Sequence, residues 1–96
     1  MVNYMEISDI KIRKLSNDGK MRAVVSVTFD NQFVVHDIKI IQAQDKTFVA
    51  MPSRKSADGD FMDVAHPINA DIRQKLNDAV IAEFEKAQAN PDAYNR

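Results

Sequence analysis

The hydrophobic residues of this chain change their spacing once, at His66-Pro67. Before that point apolar residues alternate with polar ones in short runs, a pattern typical of half-buried β-strands. After it they recur at intervals of three and four, a pattern typical of one helix face. Because the residue before a proline is disfavoured in helical conformation, the two patterns belong to separate elements. The sequence therefore predicts an α+β fold, with a four- to five-stranded antiparallel sheet followed by a C-terminal amphipathic helix.

Turn-forming residues separate the alternating runs and set the strand boundaries. Ser16 to Gly19 and Asp30-Asn31 predict two turns, so the first three strands are expected to follow one another as hairpins. A further loop is expected over residues 42–46. The predicted strands cover residues 7–15, 21–29, 32–41, 48–51 and 61–65.

The third predicted strand is apolar on both of its faces. Val34, Ile38 and Ile40 share one parity, and His36 falls among them, while Phe33 and Val35 belong to the other. A strand that is apolar on both faces is normally covered on both. Because one long helix can cover one face, we expect a second copy of the chain to cover the other.

The helix is predicted from its cap and its apolar spacing. Asn69 is a suitable N-cap and Asp71 lies where the helix dipole favours an anion. The apolar stripe predicts a helix of about 18 residues that runs to about Ala87, and Asn90-Pro91 ends it. The stripe consists of Ile72, Leu76, Ala79, Val80, Phe84 and Ala87.

The length and composition of the chain suit one small cytoplasmic domain. The chain has 96 residues, of which 45% are hydrophobic, and domains of this size bury a modest core, so a homodimer is expected. Residues 1–4 are interpreted as an extension and residues 91–96 as a frayed tail. Cysteine is absent, and no apolar run approaches the roughly 20 residues of a membrane span. We therefore expect a cytoplasmic protein without membrane association.

Charge is unevenly distributed although the formal net charge is −1. Residues 1–55 contain nine Lys and Arg against six Asp and Glu, a net charge of +3. Residues 56–96 contain four against eight, a net charge of −4. Any polyanion would therefore bind to a local cationic patch, and salt would weaken the complex.

Arg54 and Lys55 are the leading candidates for such a patch. They fall in the polar stretch Ser53 to Asp60, which is predicted as a loop between two strands. Adjacent cations on a loop can bind phosphates, and Arg can also reach the acceptor edge of guanine. A solvated loop is the alternative, and from the residues alone it is the more common one.

Further cations are predicted to assist this pair. Lys20 and Arg22 form a second candidate cluster beside the Asp18-Gly19 turn. Charge on a solvent-facing strand is usually a solvated surface, so these residues are interpreted as supporting contacts. Three more cations are expected on the same outer face of the sheet: Lys11, Arg13 and Lys39.

The residues that could carry catalysis do not form a recognised constellation. His36 and His66 lack the spacing of metal ligands, so we expect His36 to be hydrogen-bonded within the sheet and His66 to fix the strand-to-helix corner. Ser26 has no predicted base or oxyanion loop near it, and the same holds for Ser16 and Ser56. We expect neither an enzyme nor a cofactor, catalytic metal or small-molecule substrate.

Several motifs resemble, in order and spacing, those of the SpoVG family of sporulation and septation regulators. They are Asp18 to Ala23 (DGKMRA), Phe33 to Ile38 (FVVHDI), Met51 to Lys55 (MPSRK), Asp58 to Phe61 (DGDF) and Asp63 to Asn69 (DVAHPIN). The resemblance extends from about Met5 to Val80. It implies a bacterial regulator of septation, cell division or sporulation that binds DNA, and in some members RNA, as a dimer.

The resemblance favours Arg54 and Lys55 as the nucleic-acid contacts, because related proteins bind through this basic pair. Two positions near this pair differ from the family pattern. Ser56-Ala57 stands where the family usually has Thr-Pro, and Met62 stands where a basic residue is common. The alternative function is a protein-interaction module that regulates cell division or gene expression without reading nucleic acid.

Overall fold

The structure, a computed structural model, describes residues 5–16 and 19–90. Within these residues the chain forms six strands and a helix, in the order β1 (Ile7–Leu15), β2 (Met21–Phe29), β3 (Phe33–Ala43), β4 (Lys46–Ala50), β5 (Ser53–Lys55), β6 (Phe61–Asp63) and α1 (Ala70–Ala89). The predicted extension, the predicted frayed tail and part of the first turn, residues 17 and 18, lie outside the described residues. In the part that is described, no helix has the length and apolarity needed to cross a membrane.

The strands form a four-stranded antiparallel sheet in the order β1-β2-β3-β4 and a separate two-stranded sheet, β5-β6. The predicted α+β fold is thereby confirmed. The expected loop at residues 42–46 is shorter than predicted, because β3 and β4 pair as far as Ala43 and Lys46. Gln44, at φ 57, makes the tight reversal between them.

Helix α1 covers one face of the larger sheet and packs against β1 and β4. The side chain of Asn69 accepts a hydrogen bond from the backbone N–H of Ile72 at 2.8 Å, so the predicted N-cap is confirmed, and the helix ends at Ala89 with Asn90 as its C-cap. Burial of the apolar stripe against the sheet stabilises both elements. The core consists of Ile12, Ala23, Val25, Val27, Phe29, Ile38, Ile40, Leu76, Val80, Phe84 and Ala87.

A β-bulge in β3 explains why that strand is apolar on both parities. Val25 pairs with Ile38 and Val27 pairs with Val35, so β3 contains one more residue than β2 between these pairs. Asp37 lies at the bulge in the left-handed region, at φ 63. The extra residue reverses the alternation of faces, and both Val35 and Ile38 therefore pack toward the core.

The prediction that Val34 and His36 share a face with Ile38 and Ile40 is wrong for the same reason. Val34 pairs with Thr28 and is exposed, whereas Ile38 is buried. Before the bulge the even-numbered residues of β3 point away from the helix, and after it they point toward the helix. The two-sided apolar pattern thus reflects a bulge, and cover by a second copy remains a prediction.

Candidate nucleic-acid interface

Arg54 and Lys55 lie in a strand, which corrects the prediction of a loop. Ser53 pairs with Asp63 in the β5-β6 hairpin. Pro52 accepts a hydrogen bond from the N–H of Val64 at 2.7 Å, which closes the base of the hairpin. The prediction failed because a run of polar residues lacks the alternation that marks a half-buried strand.

The hairpin reverses over a short turn that holds the two strands in register. The N–H of Ser56 donates to the carbonyl of Asp60 at 2.7 Å, and the N–H of Gly59 donates to the carbonyl of Ser56 at 3.0 Å. Gly59 has φ +90, which favours glycine. The predicted reversal at Asp58-Gly59 is therefore confirmed, and the return strand is residues 61–63 rather than 61–65.

The two cations point to opposite faces of the hairpin. Arg54 is paired with Met62 and Lys55 with Phe61, and successive side chains of a strand alternate between faces. Both cations are exposed. Among the described residues neither forms an ion pair with a carboxylate. Each is thus available to an anion, on its own side of the hairpin.

Lys20 and Arg22 lie at a different place on the fold. The carbonyl of Lys20 accepts a hydrogen bond from the N–H of Gln42 at 2.8 Å, near the β3-β4 turn. The hairpin follows the opposite end of β4, where Ala50 pairs with Lys39. The structure therefore does not bring Lys20 and Arg22 together with the hairpin cations into one cluster.

Arg22 is also less accessible than its partner in the predicted cluster. Its side chain is half-buried, and within the described residues its Nε is buried without a hydrogen-bond partner. Lys20 is exposed. Of the two, Lys20 is the residue whose charge faces solvent.

The supporting cations lie on the face of the larger sheet that points away from α1, here called the outer face. Lys11 pairs with Ser26 and Lys39 with Val24, which places both on this face, as predicted. Lys11 and Arg13 line a shallow depression with Ser26 and His36. Lys39 lies nearer the hairpin, because it lines a second depression with Ser53.

His36 and Ser26 are hydrogen-bonded to one another. Ser26 Oγ lies 2.7 Å from His36 Nδ1, which confirms the predicted role of His36 and corrects the expectation that Ser26 has no base near it. Ser26 is 5% exposed, so little of its surface is open to solvent. His66 Nδ1 donates to the carbonyl of Pro67 at 3.0 Å, at the predicted corner. No cluster of potential metal ligands occurs among the described residues.

Of the acidic residues of the helix, Glu83 and Glu85 lie beyond the part that borders the hairpin, whereas Asp71 and Asp78 lie close to it. Arg73 and Asn77 line a cleft together with Ser53 of the hairpin. Glu83 lies about 9 Å further along the helix axis than Asn77, and it is paired with Lys86 at 3.6 Å. The hairpin thus borders the half of the helix that carries Arg73.

The comparisons with known proteins agree on one family. The model of the SpoVG family matches residues 5–86. A protein of Thermoanaerobacter sp. (strain X514) is 59% identical over 90 residues, which cover 94% of this chain and 98% of the relative. A protein of Acetivibrio thermocellus is 60% identical over 81 residues, which cover 84% and 86%. Both carry the name "Putative septation protein SpoVG".

Proposed function

This chain belongs to the SpoVG family, and we propose that it is a regulator of septation that binds DNA or RNA through the β5-β6 hairpin. Arg54 and Lys55 would supply the main contacts, and Lys39, which lies near the hairpin, would extend the field around them. The observation that carries the proposal is the exposure of Arg54 and Lys55 on an ordered hairpin, without a carboxylate partner among the described residues.

Exposed, unpaired cations favour a polyanion for a physical reason. A lysine or arginine already paired with a carboxylate must break that pair before it binds a phosphate. An unpaired lysine or arginine gives up only water when it binds a phosphate. Its binding also releases condensed counterions from the nucleic acid, which favours the complex. A nearly neutral chain can therefore bind a polyanion at one site, provided that the cations at that site are not paired with carboxylates.

Ion pairs and hydrogen bonds of the described carboxylates leave the two hairpin cations unpaired. Asp78 accepts a hydrogen bond from Gln74 at 2.9 Å, and Glu83 pairs with Lys86. These groups lie on the helix, whereas Arg54 and Lys55 lie in the hairpin that follows β4. The hairpin itself carries Asp58, Asp60 and Asp63, and among the described residues none of them forms an ion pair with Arg54 or Lys55.

We propose a homodimer in which each copy contributes one hairpin. The outer face supports it, because apolar side chains of Val24, Val34 and Ile41 lie there among the polar ones and α1 covers the other face. Two linked sites raise the effective concentration of the second contact. Sedimentation velocity tests the proposal, and a chain that remains monomeric while binding nucleic acid with full affinity would contradict it.

The test of nucleic-acid binding is a titration of labelled DNA and RNA at two salt concentrations. The variant Arg54→Ala/Lys55→Ala is expected to lose most of the affinity and to show a weaker dependence on salt. The variant Lys46→Ala/Lys86→Ala removes the same charge far from the hairpin and serves as the matched control. The proposal fails if the hairpin variant folds and binds like the parent.

A protein-interaction module is the second candidate, and one observation favours it. Val64 and Ile68 are 63% and 88% exposed, next to the hairpin, and exposed apolar residues often mark protein interfaces. A pull-down after nuclease treatment separates the two functions. Partners that persist after the treatment support the module, and partners that disappear support nucleic-acid binding.

A further inference from the structure

A cleft of about 430 Å³ runs along the free edge of β4, between the β5-β6 hairpin and the first half of α1. This volume lies in the range of about 300–1,000 Å³ that is typical of small-ligand sites. Aromatic, polar and charged side chains line the cleft, namely those of Phe48, Ser53, Phe61, Asp63, Arg73 and Asn77.

Two phenylalanines line this cleft and are largely accessible to solvent. Phe48 is 48% exposed and Phe61 is 73% exposed. A phenyl ring in water forgoes the stabilisation that burial would give it, so an exposed pair beside a cleft points to an occupant with a matching surface. A flat aromatic partner suits a phenyl ring best, because offset stacking adds to the burial of area.

Polar and charged side chains line the cleft together with the two rings. Ser53 and Asp63 approach from the hairpin, and Asn77 and Arg73 approach from the helix. The guanidinium of Arg73 donates to the carbonyl of Pro67 at 3.3 Å, which holds it at the corner, and a guanidinium carries five N–H donors. This mixture of donors and acceptors can pair with the edges of a nucleobase.

Lys55 connects the cleft with the proposed phosphate contacts. It is paired with Phe61 and therefore shares that face of the hairpin, as Ser53 and Asp63 do. Its Cε lies near the turn, 3.9 Å from the position that a Cβ would occupy at Gly59. A nucleotide whose base entered the cleft would thus have a cation beside its phosphate.

We infer that the cleft binds an unpaired base of single-stranded nucleic acid, stacked on Phe61, while Lys55 contacts the adjoining phosphate. The inference rests on the proposed function and specifies the form of the ligand. A base within a duplex offers no free face to a phenyl ring, since both of its faces are stacked on neighbours. Single-stranded DNA and RNA both meet the chemistry of the cleft.

The test compares a labelled single-stranded DNA, the RNA of the same sequence and the DNA duplex, each with the parent and with Phe61→Ala. We expect Phe61→Ala to weaken binding of both single strands by about fivefold to a hundredfold, the range that base–aromatic stacking supports. Binding of the duplex is expected to change by less than about twofold. Phe61→Tyr keeps the ring and should restore single-strand binding.

Met62→Ala is the matched control, because Met62 is exposed on the opposite face of the same hairpin. It should leave single-strand binding unchanged. If Phe61→Ala and Met62→Ala behave alike, or if Phe61→Ala weakens single strands and duplex equally, the inference is overturned. The proposed function would survive either result as long as Arg54→Ala/Lys55→Ala abolishes binding.

Fluorescence provides a second readout at the site itself. The chain contains no tryptophan, so Phe61→Trp places a single indole at the cleft. Stacking predicts that its emission is quenched by an unlabelled single strand and not by the duplex. A change in emission with protein concentration alone would show that a second copy occupies the cleft, which contradicts the inference. An emission insensitive to single strands that do bind would contradict it as well.

Discussion

The hydroxyl of Ser26 lies 2.7 Å from Nδ1 of His36, across the point where β2 and β3 lose their register. The pair closes the bulge on the outer face, while Asp37 beside it takes a left-handed backbone conformation. Ser26 is buried and His36 is exposed. The two partners of this hydrogen bond therefore differ in their access to water, so removing one should not cost the same free energy as removing the other.

His36→Ala should destabilise the fold more than Ser26→Ala does. Removing the imidazole leaves a buried hydroxyl without its partner, which costs about 1–3 kcal/mol. Removing the hydroxyl leaves an exposed imidazole that water can satisfy, at a cost of about 0.5–1.5 kcal/mol. Urea unfolding of both variants and of the double variant measures the difference. Equal losses would show that the hydrogen bond does not govern stability at the bulge.

Asp37 should tolerate glycine and reject valine. Its φ of 63 suits glycine, whereas a β-branched residue is strained there, and the left-handed region costs most residues about 1–2 kcal/mol. Asp37→Gly is expected to be close to neutral, and Asp37→Val to lower the free energy of unfolding by about 1–2 kcal/mol or more. Thermal unfolding followed by circular dichroism compares them. The bulge is refuted if valine is as well tolerated as glycine.

Phe84→Ala should be among the most damaging substitutions, and Phe61→Ala among the mildest. Phe84 is 2% exposed and packs in the core beneath the sheet, where loss of a phenyl ring costs about 3–5 kcal/mol. Phe61 lies on the hairpin surface. Chemical denaturation of the two variants therefore separates a core phenylalanine from an exposed one. Comparable destabilisation by both would mean that Phe61 is a structural residue.

Asn69→Ala should weaken the start of α1 by about 1 kcal/mol, because the amide oxygen satisfies the N–H of Ile72. Asn69→Asp retains an acceptor at the same place and is the conservative control, which should unfold at nearly the parental denaturant concentration. The helix signal in circular dichroism, followed through a urea titration, reports both. A loss that is the same for Ala and Asp would argue against the cap.

Arg54→Ala and Lys55→Ala should differ from each other, because their side chains leave opposite faces of the hairpin. Lys55→Ala is expected to weaken binding to all sequences and to reduce the slope of log K against log salt by about 0.7–0.9. Arg54→Ala is expected also to blur sequence preference, since Arg can read guanine. Titrations over several salt concentrations and sequences measure both effects, and identical behaviour of the two variants would contradict the separation.

Local information in the chain accounts for much of the fold. Alternation predicts β1 and β2, and the shift to helical spacing after His66-Pro67 predicts α1 with its cap at Asn69. These signals act between near neighbours, so a single sequence carries them. The same holds for the reversal at Gly59, where a positive φ favours a residue without a Cβ.

Contacts between distant residues decide the remainder. The pairing of Ser53 with Asp63, the bulge that brings Ser26 to His36, and the cleft that joins Phe48 to Arg73 each depend on the register between separate segments. Register is set by packing of the whole core, and a shift of one residue would turn every side chain of a strand to the other face. The sequence alone therefore identifies Arg54 and Lys55 as adjacent cations. The assembled sheet and helix determine which way each side chain points and what lies beside it.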